Sequence, residues 1–150
     1  MKKRIVFDVE GKPPKKSNWG TDDADLVIKF REEALKARTK EGLSDYFHDS
    51  IKLNLIVYAP NIIDMNYKQT GDDDPKKFVG DLDSLVAGVC EYLQPAPTNP
   101  DLKINPILQE KKEIGPDVAL IIKNDSQIVE INAKKILDNR LHYHVEIESL

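Results

Sequence analysis

Three aspartates carry the chemical interest of this 150-residue chain. Asp81 and Asp83 stand one residue apart in "VGDLDSLVAGVC", between a glycine and a run of helical spacing, and Asp125 falls in "KNDSQIVEINA" farther along. An Asp-x-Asp ahead of a helix is ordinarily a cap, because its carboxylates accept from the first unbonded N–H groups and face the positive end of the helix dipole. Taken alone, the pair reads that way. Asp125 changes the reading. It sits in a turn after an apolar run, and if that turn lies beside the helix start, three carboxylates converge. Such a group is stable when protonated or when a divalent cation lies between its members. Oxygen-only ligation suits Mg²⁺ or Mn²⁺, which keep several waters and accept phosphate oxygens. An ion held so can polarise a phosphodiester and activate water.

Positioning those carboxylates falls to elements predicted from the apolar spacing. Residues 4 to 9 alternate, with Ile5, Phe7 and Val9 on one side, and read as a strand. "EGKPPKKSNWGT" is loop chemistry. Thr21 is an N-cap for a helix running to about Lys40, which places Val27, Phe30, Ala34 and Ala37 on one face before Gly42 stops it. Residues 51 to 58 alternate again. Residues 60 to 78 read as a long loop. Leu82, Leu85, Val86, Val89, Cys90 and Leu93 form the stripe of a second helix, which starts at Asp81 or Asp83 and ends before Pro95. Residues 94 to 116 hold five prolines and read as an elaborated loop with a helical turn near "ILQEKKE". "VALII" and "QIVEINA", joined by the turn "KNDS", read as a hairpin, and "LHYHVEIE" as the last strand. The expectation is an α/β (α+β) fold: one domain over residues 1 to 150, with a single layer of mixed sheet, about five strands, packed by two main helices.

Composition narrows the class. The apolar runs are too short to span a bilayer, and the start of the chain has no apolar stretch of signal-peptide length. The lone Cys90 excludes an internal disulfide and a cysteine-based zinc site. A reducing, cytoplasmic setting with no membrane association is expected. A net charge of −4 argues against nucleic-acid binding by bulk charge. The basic residues are nevertheless clustered: Lys12, Lys15 and Lys16 in one Pro-rich stretch, Lys76 and Lys77 in another, and Lys134 beside Lys135. These are the candidate phosphate contacts, weighed against plain solvated loops. Trp19 could stack on a base, although a lone Trp more often packs over a core. Arg31 and Arg38 read as surface charges on the first helix. The His142, His144 and Glu146 row reads as a solvated sheet face, and "GDDDPKK" lacks the ligand spacing of a calcium loop.

"GDLDSLVAGVCEYL", an apolar run, then "NDSQIVEINAKK" resembles the RusA family of Holliday junction resolvases. That family carries Asp-Leu-Asp-Asn-Leu at a helix start, then Asp-Asp-x-Gln and a downstream lysine. The basic, Pro-rich opening "GKPPKKSNW" and the closing strand agree with it, so the resemblance covers nearly the whole chain in order. It implies a small homodimeric endonuclease that binds four-way or other branched DNA in recombination and repair and cuts paired strands with Mg²⁺ or Mn²⁺. Carried over by position, Asp81, Asp83 and Asp125 are its metal-binding, catalytic aspartates. Ser84 stands where the family has Asn, and Asn124 where it has the first Asp of the second pair. Ala87 stands where the family has a catalytic lysine. That departure supports an alternative, a RusA-like protein that binds branched DNA or a protein partner without cleaving.

Overall fold

Burial alternates residue by residue along three strands: β1 (Arg4–Glu10), β2 (Ile51–Ala59) and β4 (His142–Ser149). Their inward side chains, Ile5, Phe7 and Val9, then Ile51 through Val57 at every second position, then Tyr143, Val145 and Ile147, make one apolar face. β3 (Ile128–Leu137) completes a four-stranded sheet in the order β1-β4-β2-β3. β4 is antiparallel to β1 and β2, whereas β2 and β3 run parallel. The computed structural model describes residues 2–16, 19, 24–63, 79–97, 111–115 and 118–150.

Helix α1 (Ala24–Lys40) lays Val27, Phe30, Ala34 and Ala37 on the apolar face, with Phe30 packed edge-on against Phe7 and stacked on Tyr143. Helix α2 (Leu82–Tyr92) buries Leu85, Gly88, Val89 and Tyr92 and lies against α1 and β3. Two helices on one face of one mixed sheet is the expected architecture, with two corrections. The described sheet has four strands, not about five, and "VALII" is not half of a hairpin. Leu120, Ile121 and Ile122 are fully buried, yet among the described residues their only ladder contact is an isolated bridge between Ile122 and Phe47. Other groups satisfy this segment's backbone. The N–H groups of Ile121 and Ile122 both donate to the Leu93 carbonyl, and Arg38 donates to the Leu120 carbonyl at 2.8 Å. An apolar run can thus be buried as a strap over a helix end, with side chains and helix termini taking the place of a ladder.

Arg31 is the second surprise. It is fully buried, not a surface charge. Its guanidinium donates to the carbonyls of Ile114, Tyr92, Gln94 and Val118 and lies over the Trp19 ring. Burial lowers its pKa to about 10. Two of those carbonyls belong to the end of α2, where the helix leaves acceptors without internal partners. Arg31 therefore clamps α1, the α2 terminus and the strap together. Trp19 is buried against Tyr92, so it packs and does not stack on a ligand.

Candidate metal and DNA site

Asp81 occupies the N-cap position of α2 in an extended conformation, but its side chain makes no capping hydrogen bond. The Asp83 carboxylate accepts from the adjacent Ser84 N–H at 2.9 Å. Both aspartates are exposed. The cap reading is therefore realised in position and not in bonding, and the first turn presents two carboxylates to solvent. What aims them is the residue before. Gly80 has φ +109°, a conformation that glycine tolerates and a side chain resists. Its carbonyl accepts from the Lys135 ammonium at 3.0 Å, and the same ammonium reaches the Ile62 carbonyl at 2.6 Å. A cation from β3 is thus fixed one residue from Asp81, on the strand position that faces α2.

Asp125 is elsewhere. It lies in a 3-10 turn (Asp125–Gln127) whose geometry comes from its neighbours. Asn124 accepts from the Ser126 N–H, and the Gln127 side chain accepts from the N–H groups of Lys123 and Asn124. The amide of Gln127 then donates to the carbonyls of Phe47 and Asp49, tying the turn to the entry of β2. The Asp125 backbone N–H donates to the Gln94 side chain just beyond α2. Burial, and secondarily the Asp125 charge, push the half-buried Cys90 thiol up to about 11. Asp125 therefore sits at the C-terminal end of α2, and the Asp81–Asp83 pair at the N-terminal end. From Asp83 to Gln94 is on the order of 15 Å at the rise of a helix. Among the described residues, no group of three or more His, Cys, Asp or Glu side chains is arranged to hold a metal ion. One chain brings the pair together and leaves the third carboxylate at the other end. Ala87 lies between them, on the helix face that runs through Asp83, Cys90 and Gln94.

The basic residues divide. Pro13 and Pro14 are buried, and the loop carrying them crosses α2 at Gly88, where an added Cβ would run into the Pro14 carbonyl oxygen. The Tyr92 hydroxyl donates to the Lys15 carbonyl at 2.5 Å and holds the loop there. Lys15 and Lys16 are exposed beside the acidic helix, and Lys12 is half-buried. Lys134 faces the other side of the sheet, in an open groove of about 540 Å³ with Asn54, Asn132, His144 and Glu146. It does not converge with the loop. Lys76 and Lys77 lie outside the described residues.

That far face carries its own network. His144 bonds to Asp8 at 2.9 Å and Glu146 at 3.1 Å, and Arg4 donates to Glu146 at 2.5 Å. The His row is thus an ion-paired surface. Sequence reasoning left open whether Lys134 or Lys135 faces the site, and passed over Gln94, Asn124 and Gln127 as the frame of Asp125. The strand alternation that separates Lys134 from Lys135 was the available signal for the first. No helix among the described residues is long and apolar enough to cross a membrane. No protein-family model matches the chain, and no curated protein matches it.

Proposed function

We propose that the chain is a metal-dependent endodeoxyribonuclease of RusA-like type, acting on four-way or other branched DNA. The observation that carries the reading is the Asp81–Asp83 pair, exposed at a helix start where Asp81 makes no cap bond. Carboxylates not engaged in capping are available as hard oxygen ligands, and one or two carboxylates with water and substrate phosphates make an ordinary Mg²⁺ or Mn²⁺ set. Bound there, such a cation would polarise a phosphodiester and favour attack by water. The chain's own part is to hold the pair in place through Gly80 and Lys135, and to set Lys15 and Lys16 beside α2 as phosphate contacts. Asp125, at the far end of α2, can join that cation only when a second copy of the chain supplies it.

The test is cleavage of a synthetic four-way junction with Mg²⁺ or Mn²⁺. Wild type is expected to cut and Asp83→Asn to lose at least about a hundredfold in rate while still binding the junction. No cleavage with either cation by a folded chain overturns the reading.

One observation favours a second reading. Ala87 puts a methyl group midway along the face between Asp83 and Gln94, where the resembling family has a cation. On that reading the protein binds branched DNA and does not cut it. Junction binding that Lys15→Ala with Lys16→Ala abolishes, with no cutting under any divalent cation, is its signature.

A further inference from the structure

A cavity of about 400 Å³ opens beyond the C-terminal end of α1, between the chain entering β2 and the buried strap. Small-molecule sites are commonly about 300–1,000 Å³. None of the residues assigned above to a metal or to DNA lines it. Its charged wall is cationic. Arg38 comes from the last turn of α1, and Lys123 directly follows the strap. Arg38 is anchored by one bond, from Nη1 to the Leu120 carbonyl at 2.8 Å, and its Nε is buried with no acceptor. Among the described residues the Lys123 ammonium has no partner, while its backbone N–H is fixed by the Gln127 side chain at 2.8 Å. Among those residues the one carboxylate on the wall is Asp45, and it is engaged. His48 bonds to one of its oxygens at 2.8 Å, and the Tyr46 N–H donates to the other at 2.9 Å.

An aromatic ring borders the same space. Phe47 is buried, and its N–H and carbonyl are tied to Ile121 and Gln127 at 2.8 and 2.6 Å, so the residues on either side of it turn outward. Tyr46 and His48 stack on each other there, with ring centroids 4.2 Å apart and planes 23° apart. Tyr46 lines the cavity and His48 does not, so the ring offers the cavity its side away from His48. Pro95, Val118 and Ala119 supply an apolar wall, and Ser44 a hydroxyl. Two cations with unused donors suit one phosphate dianion. A fixed aromatic ring with apolar neighbours suits a flat base, which stacks through its π-face. We propose that this cavity binds a nucleoside monophosphate, with the phosphate on Arg38 and Lys123 and the base against Tyr46. The occupant is a free nucleotide, because two cations match one phosphate, whereas a nucleic-acid strand is held by a basic track along its backbone. The site stands apart from the aspartates and does not depend on what they do.

The test uses the full chain with no divalent cation present, so that the aspartate pair takes no part. Of AMP, GMP, CMP and UMP, at least one is expected to bind in calorimetry and to raise the melting temperature. Its own nucleoside and inorganic phosphate should each bind at least about tenfold more weakly. Lys123→Ala should weaken the nucleotide about tenfold and leave the nucleoside unchanged. Tyr46→Leu should weaken nucleotide and nucleoside alike, about tenfold, and leave inorganic phosphate unchanged, while Tyr46→Phe, which keeps the ring, should bind as wild type does. If none of the four nucleotides binds more tightly than its nucleoside and inorganic phosphate, the proposal is overturned. Nucleotide binding indifferent to both Lys123→Ala and Tyr46→Leu overturns it too. So does a 5′-phosphorylated single strand that binds through Lys123 and Tyr46 where the free nucleotides do not.

Discussion

Arg31 shows how a charge can be structural when, among the described residues, its partners are carbonyls and not a carboxylate. Its donors engage four carbonyls from three separate segments, so removing them leaves several buried acceptors unpaired at once. Arg31→Met, which keeps much of the bulk, is expected to destabilise the protein by about 2–4 kcal/mol in thermal or urea unfolding. Arg31→Lys should not rescue it, because one ammonium cannot reach all four carbonyls. Nothing in the sequence marked this residue. An arginine on a helix looks like surface until the chain folds a strap and a helix end around it. His144 allows a pH test. Burial disfavours its cation, but the hydrogen bonds to Glu146 and Asp8 outweigh that and raise its pKa. The hydrogen bond from His144 is in turn the main reason the Glu146 pKa is lowered. A raised imidazole pKa contributes stability that is complete below the ordinary histidine range and lost as pH rises through the folded value. Melting temperature should therefore fall from pH 6 toward pH 9, and His144→Asn should flatten that slope.

Among the elements, α2 is the one whose surroundings decide the most. Its apolar stripe was legible, since Leu85, Val89 and Leu93 are buried at the spacing read from the sequence. Its crossing by the Pro13–Pro14 loop was not, because Gly88 looks like an ordinary weak point in a helical pattern. The close approach of the loop backbone explains the glycine. Gly88→Ala would gain about 1 kcal/mol from helix propensity in isolation. Here it is expected to cost about 1–3 kcal/mol net, because Pro14 must move. Limited proteolysis should show faster cutting after Lys15 or Lys16 in the variant, alongside its lower melting temperature. The strands divide in the same way. Strict alternation gave β1, β2 and β4 their faces, whereas "VALII" has the composition of a strand and the backbone partners of a strap. Composition reports burial; it does not say which groups satisfy the backbone.

At the scale of the whole molecule, the placement of the aspartates makes one prediction. Asp125 lies just before the start of β3, whereas Lys135, near its other end, holds Gly80 next to Asp81. A cation site drawing on Asp125 would then be shared between chains. Asp83→Asn and Asp125→Asn chains, each inactive alone, should recover nicking of a branched DNA when mixed, because one of the two sites in each mixed pair is intact. Mixtures as inactive as their parents would place the three aspartates' work within single chains. The distance between Asp125 and the pair could not be read from the sequence. It depends on α2 and β3 running in opposite directions, a fact of topology that no short motif encodes.

The strand order has an outcome for biosynthesis. β4 lies between β1 and β2, although a ribosome delivers it after the other three strands. Until it emerges, the nascent chain carries an empty slot flanked by two apolar edges, and β1, packed on α1, has no partner strand among the described residues. Completion of the sheet must therefore wait for the last of the four strands, and a chain stalled before residue 142 should be a ready client for chaperones and proteases.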